Sequence, residues 1–543
     1  MTNLLLWVES LAVSLLVVAT VTAWTARWAH RGLRAFVLTL VQLAGLTVYG
    51  GLTALAGIAY SCLPDFAWGL LAAATLTGVF FIGTILIYKR GLRRRDGIAS
   101  AQTWPRGMLT LALVMAAGFH VLTLWDMDLA MRQQAGSMRA KAAVLVLSVA
   151  LPQVADRDNA ALDYKLAYEA FGPDDDLPDA WRDKWTSSSD ANAVDPKDEQ
   201  LRAFLRGKAE AIRLARLGAT KSGCWIEPNY DPTDPFARVQ NLRSVRSLAN
   251  LLGLSARFRA ADGDANGAVE DFNAMAPIGE GVGMRPDMIH MLVGMGIDGL
   301  AFKTMQTLAE GGKLGVADLA RLRVDGSPSW QRQFPRMLIS EDALRLGILA
   351  GVAEGRLSLT DLGLLSRQGR ERRAPRLVDF AYRLFLLHRD IEDNASLSAK
   401  LSDLSAMQYP QATAGWKKFE AESVASLQGL VVRQMIPIYT KTISQAAEAD
   451  ARRGVARAAV AACRYRTARG KWPGKIDDLV PGYLAIVPND PFDGKPLRWK
   501  SGGDRIVIYS VGPDGKDDGG AAAYDRDTKT GDIAFTLPVK NRK

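Results

Sequence analysis

Residues 242–256 read Leu-Arg-Ser-Val-Arg-Ser-Leu-Ala-Asn-Leu-Leu-Gly-Leu-Ser-Ala, and their periodicity decides the architecture of the larger part of the chain. Leu242, Val245, Ala249, Leu252 and Ala256 recur at intervals of 3, 4, 3 and 4, which places them on one face of an α-helix. The same period runs from about residue 200 to about residue 450. Turn signals interrupt it at Asp262–Gly267, Gly311–Gly315 and Gly369–Pro375, and strand-like alternation is scarce. Residues 201–444 are therefore expected to form an all-α soluble middle region, a helical array or bundle whose surface serves binding.

The turn at Asp262-Gly263-Asp264-Ala265-Asn266-Gly267 has two readings. It matches the start of an EF-hand loop, with oxygen ligands at alternating positions, glycine at the sixth and the apolar Val269 at the eighth. The twelfth position, however, is Asn273 in place of the bidentate glutamate. The simpler reading is a tight turn between antiparallel helices, built from ordinary Asp, Asn and Gly turn chemistry. Residues 261–268 also resemble the inter-helix turn of tetratricopeptide repeats, without a second copy at a fixed period.

Motifs that carry catalysis are missing from the sequence: HExxH, GxSxG, GxxxxGK[ST], and GxGxxG opening a helix. His290 and His388 stand among apolar neighbours on helices and read as structural. The cysteines, Cys62, Cys224 and Cys463, lack metal-ligand spacing and are too few for a disulfide framework. Cys224 and Cys463 read as buried thiols, or as a pair in an oxidising compartment.

Towards the N-terminus the composition changes. Leu4–Trp24, Ala35–Tyr60, Phe66–Tyr88 and Met108–Trp125 each approach the roughly 20 apolar residues that span a bilayer. Residues 1–130 are expected to form a four-helix transmembrane anchor in the lipid bilayer. Arg27, Arg31 and Arg34 occupy the first loop, and Lys89, Arg90, Arg93, Arg94, Arg95 and Arg106 the third. The short second loop has no basic residue, so the positive-inside rule puts both termini outside the cytoplasm. The implied location is a cell inner (cytoplasmic) membrane, multi-pass, with the soluble region facing the periplasm or exterior. Only Glu9 and His120 are ionisable within the spans, which fits an anchor better than a transporter. The net charge of +10 is carried largely by basic runs beside these spans, and no basic patch is interleaved with aromatics, so nucleic acid is not an expected partner. Residues 131–200 read as a helix followed by an acidic linker: the apolar 142–151 begins a packed helix, Asn159 caps another, and Asp174–Gln200 is a solvated stretch.

Residues 445–543 form the remaining domain. A helix from Gln445 to Arg469 ends at Gly470. There follow Lys471-Trp472-Pro473, the segment Val487-Pro488-Asn489-Asp490-Pro491-Phe492-Asp493-Gly494-Lys495-Pro496-Leu497, a strand at Arg505–Val511, a loop at Gly512–Gly520 and a last strand at Gly531–Leu537. One helix packed on a small antiparallel sheet is expected. The aromatic-Pro after the helix, Asp490-Pro491 with Gly494 and Pro496, and Tyr509-Ser510-x-Gly512-x-Asp514-Gly515 resemble the soluble head of the major pseudopilin of type II secretion systems. The resemblance covers residues 445–535. It departs from the family in having no leader and single assembly helix just before the head.

The resemblance implies a calcium site in the loop before the last strand. The matching positions are Asp514, Asp517, Asp518 and Asp532, with Asp525 and Asp527 as further oxygen donors. The whole chain thus reads as a multi-domain membrane protein: four transmembrane helices, an all-α middle and a small α+β pseudopilin-like domain. The expected function is a non-enzymatic, membrane-anchored extracytoplasmic binding or scaffold protein, with a protein partner in the cell envelope near secretion machinery. The alternative is an envelope enzyme whose active site lies in the helical middle, for which converging carboxylates or His290 would be the mark.

Overall fold

A computed structural model describes residues 128–172, 195, 197–225, 242–324, 329–364, 374–405 and, apart from a few short intervals, 407–538. The chain divides into two units, Met1–Gln134 with Arg367–His388, and Ala135–Ser366 with Arg389–Lys543. In the first, Arg383 and Arg132 converge on Asp128, at 2.9 and 2.7 Å.

The second unit is mostly helical. Its elements are a helix over 128–149 (α1, of which 128–134 belong to the first unit), α2 (Ala160–Phe171), α3 (Glu199–Gly207), α4 (Ala209–Ala219), α5 (Leu242–Ala261), α6 (Ala265–Gly283) and α7 (Met288–Glu310). After these come the short α8 (Val316–Leu319), α9 (Trp330–Ala353), α10 (Ala374–Phe385, in the first unit), α11 (Leu387–Ser405), α12 (Leu430–Arg433) and α13 (Ile436–Arg469). A three-stranded antiparallel sheet closes the chain in the order β1 (Arg498–Gly502), β2 (Arg505–Ser510), β3 (Ile533–Pro538).

The apolar stripe read on α5 is real but incomplete. Leu248, Leu251 and Leu254 are buried beside it, as are Ser247, Asn250, Ser255 and Arg257. A helix covered nearly all round is central, and α5 packs against both α6 and α7. Between α6 and α7 the backbones approach so closely that glycine is required. A Cβ on Gly294 would stand 2.7 Å from the Gly279 carbonyl oxygen and 2.9 Å from the Gly283 Cα. The Trp330 indole wedges against the same crossing, 2.1 Å from where a Gly283 Cβ would lie.

The turn between α5 and α6 settles the EF-hand question. Asp262 accepts both arms of Arg202 at 2.7 Å. Asp264 caps α6 through the Gly267 N–H at 2.9 Å and pairs with Arg259. Asn266 and Asn273 bind Arg321 and Arg323. The candidate ligands are thus committed to turn, cap and inter-helix contacts, and the tight-turn reading holds. Asn159 also caps as expected, accepting from the Ala161 N–H. Residues 142–149 are instead the last turns of α1 and are partly exposed, with Leu147 at 74%.

The sheet does not stand apart from the helices. Phe302 of α7 meets Phe535 of β3 edge-on at 5.9 Å, and Gln306 donates to the Ala534 carbonyl at 3.0 Å. α13 contacts α7, α8 and α9 and also packs on β2 and β3, so one apolar core runs from Ala160 to Leu537. At its C-terminal end Gly470, at φ +71°, terminates the helix in the left-handed conformation.

The expected fold class is corrected. Among the described residues no helix is long and apolar enough to cross a membrane. The long helix α7 shows why, since His290, Asp298 and Lys303 interrupt its apolar run. What stands is a mostly helical protein with a small three-stranded antiparallel sheet at its C-terminus. The four stretches between residues 4 and 125 expected to be transmembrane, and the basic loops that set their orientation, lie outside the described residues, as does most of the acidic stretch 174–200.

Two glycines of α7 test the close crossing. Gly294→Ala is expected to destabilise by about 1–3 kcal/mol, because backbone must shift to admit the methyl. Gly296→Ala, exposed with nothing within 4 Å of the added atom, is expected to stabilise by about 0.5–1 kcal/mol. Urea unfolding of the two variants beside the wild type measures the contrast.

Candidate metal centre

The sheet register builds the ground on which the C-terminal loop lies. Arg498 opens β1 directly opposite Tyr509 of β2. Asp490, wholly buried just before β1, joins this end of the sheet to the loop. Its Oδ1 accepts from the Phe492 N–H at 3.0 Å and the Ser510 hydroxyl at 2.9 Å. Its Oδ2 accepts from the Val511 N–H at 2.8 Å and Arg498 Nη1 at 2.6 Å. The Asp490-Pro491 turn is thus held from inside by a carboxylate with four donors.

The chain then leaves β2 at Gly512, where φ is +70° and a Cβ would stand 2.4 Å from the Gly531 carbonyl oxygen. Only glycine fits this pinch between the two ends of the loop. Gly520, also left-handed, lies against Val507 of β2, with 2.6 Å from a would-be Cβ to a side-chain methyl. The loop therefore folds back over the sheet and brings its aspartates there.

The structure distributes the predicted ligands unequally. Asp514 accepts from the Lys516 N–H and, through Oδ2, the Gly531 N–H at 3.2 Å, so it braces the two ends of the loop. Asp517 accepts from the Gly519 N–H at 3.0 Å and the Tyr509 hydroxyl at 3.1 Å, with Arg498 Nε 3.7 Å from its other oxygen. Asp518 is exposed, and its backbone N–H turns towards Asp532. Asp532 is 1% exposed; its Oδ2 accepts from the Gly520 N–H at 2.7 Å, while its Oδ1 is buried without a hydrogen-bond partner among the described residues. Asp525 caps its own turn through the Asp527 and Thr528 N–H groups.

Electrostatics agree with this geometry. Burial pushes the Asp532 carboxyl above its usual range, and the charges of Asp517 and Asp518 add to the rise against the pull of the backbone N–H groups. Burial and the bond to Asp517 push the Tyr509 hydroxyl up to about 12. A carboxylate with one buried oxygen unmatched near two like charges is costly to keep ionised, because desolvation and repulsion both oppose its charge. Among the described residues no three or more His, Cys, Asp or Glu side chains are already gathered to hold a metal ion. Calcium takes six to eight oxygens, and the predicted ligands are not gathered into such a shell: Asp532 has one buried oxygen to offer, Asp517 and Asp518 act on it only as nearby charges, and Asp514 is engaged elsewhere.

Several buried polar groups of the helical body pair with one another. His290 Nδ1 lies 2.7 Å from Asp287, the residue that caps α7, and Glu341 accepts from the Met288 N–H. Arg345, 1% exposed, donates to Asn394, Tyr439, Asp342 and Ser398 and so ties α9 to α11 and α13. Cys224 and Cys463 are separate free thiols, both pushed up to about 12 by burial.

Sequence reading missed Arg498 and Tyr509 as neighbours of the loop. Their approach to Asp517 comes from strand pairing, which no local pattern announces. Comparison with family models, with curated proteins and with solved structures finds no match.

Asp490→Ala is expected to destabilise the chain by about 3–5 kcal/mol, because Arg498 and three further donors lose a buried acceptor. Chemical denaturation followed by circular dichroism checks the value.

Proposed function

We propose that this chain is an extracytoplasmic binding or scaffold protein in which a rigid helical body presents a small α+β head, and that calcium sets the head's loop. Asp532 would hold the ion, with Asp517, Asp518 and loop carbonyls completing the oxygen shell. When bound, calcium supplies positive charge to a cluster of carboxylates and fixes the loop over the sheet. The observation that carries this reading is the buried Asp532 Oδ1 without a hydrogen-bond partner among the described residues, on a carboxylate that also feels the charges of Asp517 and Asp518. Burying a charged oxygen uncompensated is costly, so its retention makes sense where a cation completes it.

The order of a long helix, three antiparallel strands and an aspartate loop before the last strand supports the resemblance to the pseudopilin head. A protein partner in the cell envelope, near secretion machinery, rests on that resemblance alone, and a fold does not fix a function. Loop sites of this type in extracellular modules bind at about 10⁻⁴–10⁻³ M, which suits a calcium-rich compartment.

The test is thermal unfolding of the full chain in calcium and in chelator. A fragment beginning at residue 445 would strip Phe535 of its contact with Phe302 and is unsuitable. Calcium at a hundredfold excess over its dissociation constant is expected to stabilise by about 2.7 kcal/mol. Asp532→Asn, which keeps the shape and removes the charge, is expected to abolish the shift. An equal midpoint in calcium and chelator for the folded wild type would sink the calcium reading.

A further inference from the structure

Lys529 is the one non-glycine residue at positive φ among the described residues, at +58°. A side chain in that region sets its Cβ against the backbone, a cost that glycine would avoid. Lys529 stands in the turn between the bridged pair Asp525 and Thr530, where the Asp525 N–H donates to the Thr530 carbonyl at 2.8 Å. The cost is offset by what this conformation lets Lys529 reach. Its ammonium binds Oε1 of Glu448 on α13, a residue that is 2% exposed. The other oxygen, Oε2, takes Arg452 Nη2 at 3.3 Å from one turn further along the same helix. Arg452 also stacks on the Tyr524 ring at 5.5 Å. Tyr524 in turn packs on a small apolar cluster of Ala447, Ala451, Phe492, Val511 and Ile533.

We propose that residues 524–530 form a detachable strap on α13: Lys529 latches it to Glu448, and Arg452 takes over that carboxylate when the strap lifts. Stripping a buried carboxylate of its only cation is strongly destabilising, which would tie the strap to the global fold. Here a second cation is already in place on the same helix, at i,i+4, so lifting strands no charge. Lifting also lets Lys529 leave the left-handed region. The two effects make this turn a local opening unit that separates from α13 while the helices and the sheet stay folded. Lifting uncovers the Tyr524 side of the apolar cluster, where α13 meets Val511 after β2 and Ile533 at the start of β3. Neither Asp517 nor Asp532 takes part in these contacts, so the strap stands apart from the calcium reading.

Native-state hydrogen exchange of the full chain in chelator, followed by mass spectrometry, reads the strap directly. In Lys529→Met the amides of residues 524–531 are expected to exchange about tenfold faster than in wild type, with those of α13 unchanged. Unchanged strap exchange, or acceleration shared equally by α13, overturns the proposal. Thermal unfolding reads the takeover. Lys529→Met and Arg452→Met are each expected to lower the midpoint only slightly, because one cation remains on Glu448. The double variant is expected to fall well beyond the sum of the two, because the carboxylate is then stranded. A large loss in Lys529→Met alone, or additive midpoints, overturns the takeover by Arg452 and the proposal with it. Should the double variant fail to fold, adding Glu448→Gln to it keeps the test open: recovered folding supports the takeover, and no recovery overturns it.

Discussion

Small side chains along α13 let both the helices and the sheet close on a single axis. From Val455 to Cys463 the helix carries Val, Ala, Ala, Ala, Val, Ala, Ala and Cys at buried positions, broken only by Arg457. Bulkier residues would hold neighbouring backbones apart at ordinary helix-packing distances of about 8–10 Å. Alanine removes that spacing on every side, so α7, α8 and α9 and the strands β2 and β3 all reach the same helix. The glycine crossing of α6 with α7 and the Phe302–Phe535 contact extend the same core in two directions.

Around that core the chain buries many ionisable groups and satisfies them between helices. Asp271, fully buried, is held by Arg216, Arg259 and Ser255, which joins α4, α5 and α6. Asp450 on α13 accepts from the N-terminal backbone of α9 and from Ser329. Asp298 accepts from the Trp330 indole, and Arg453 stacks over the same ring at 4.6 Å. Each carboxylate joins elements distant in sequence, so the helices have one relative register and few alternatives. Such networks specify arrangement more than they add stability.

The loop at residues 512–532 is built differently. Its aspartates mostly bind nearby backbone, and its one deeply buried carboxylate keeps an oxygen unmatched. Asp271, Asp298 and Asp450 of the helical body, by comparison, are paired across helices. Below it, Asp490 ties the turn before β1 to the end of β2. The shared core also means that the head is fixed to the helices and moves with them.

How much could be read in advance varied with the range of the interactions involved. Helical periodicity, the Asn159 cap, the turn at 262–267, the helix end at Gly470 and the strands near 505–511 and 531–537 follow from neighbours a few residues apart, and the sequence by itself determined them. It also marked Asp532 and Asp517 as oxygen donors. Tertiary structure decided that α5 is covered nearly all round and that the helical body and the sheet share one core. It also decided that Asp514 braces the loop and that Arg498 stands under Asp517. The reason is physical: burial and charge pairing depend on residues brought together by packing and strand register, and local periodicity carries no information about which distant segment supplies the partner.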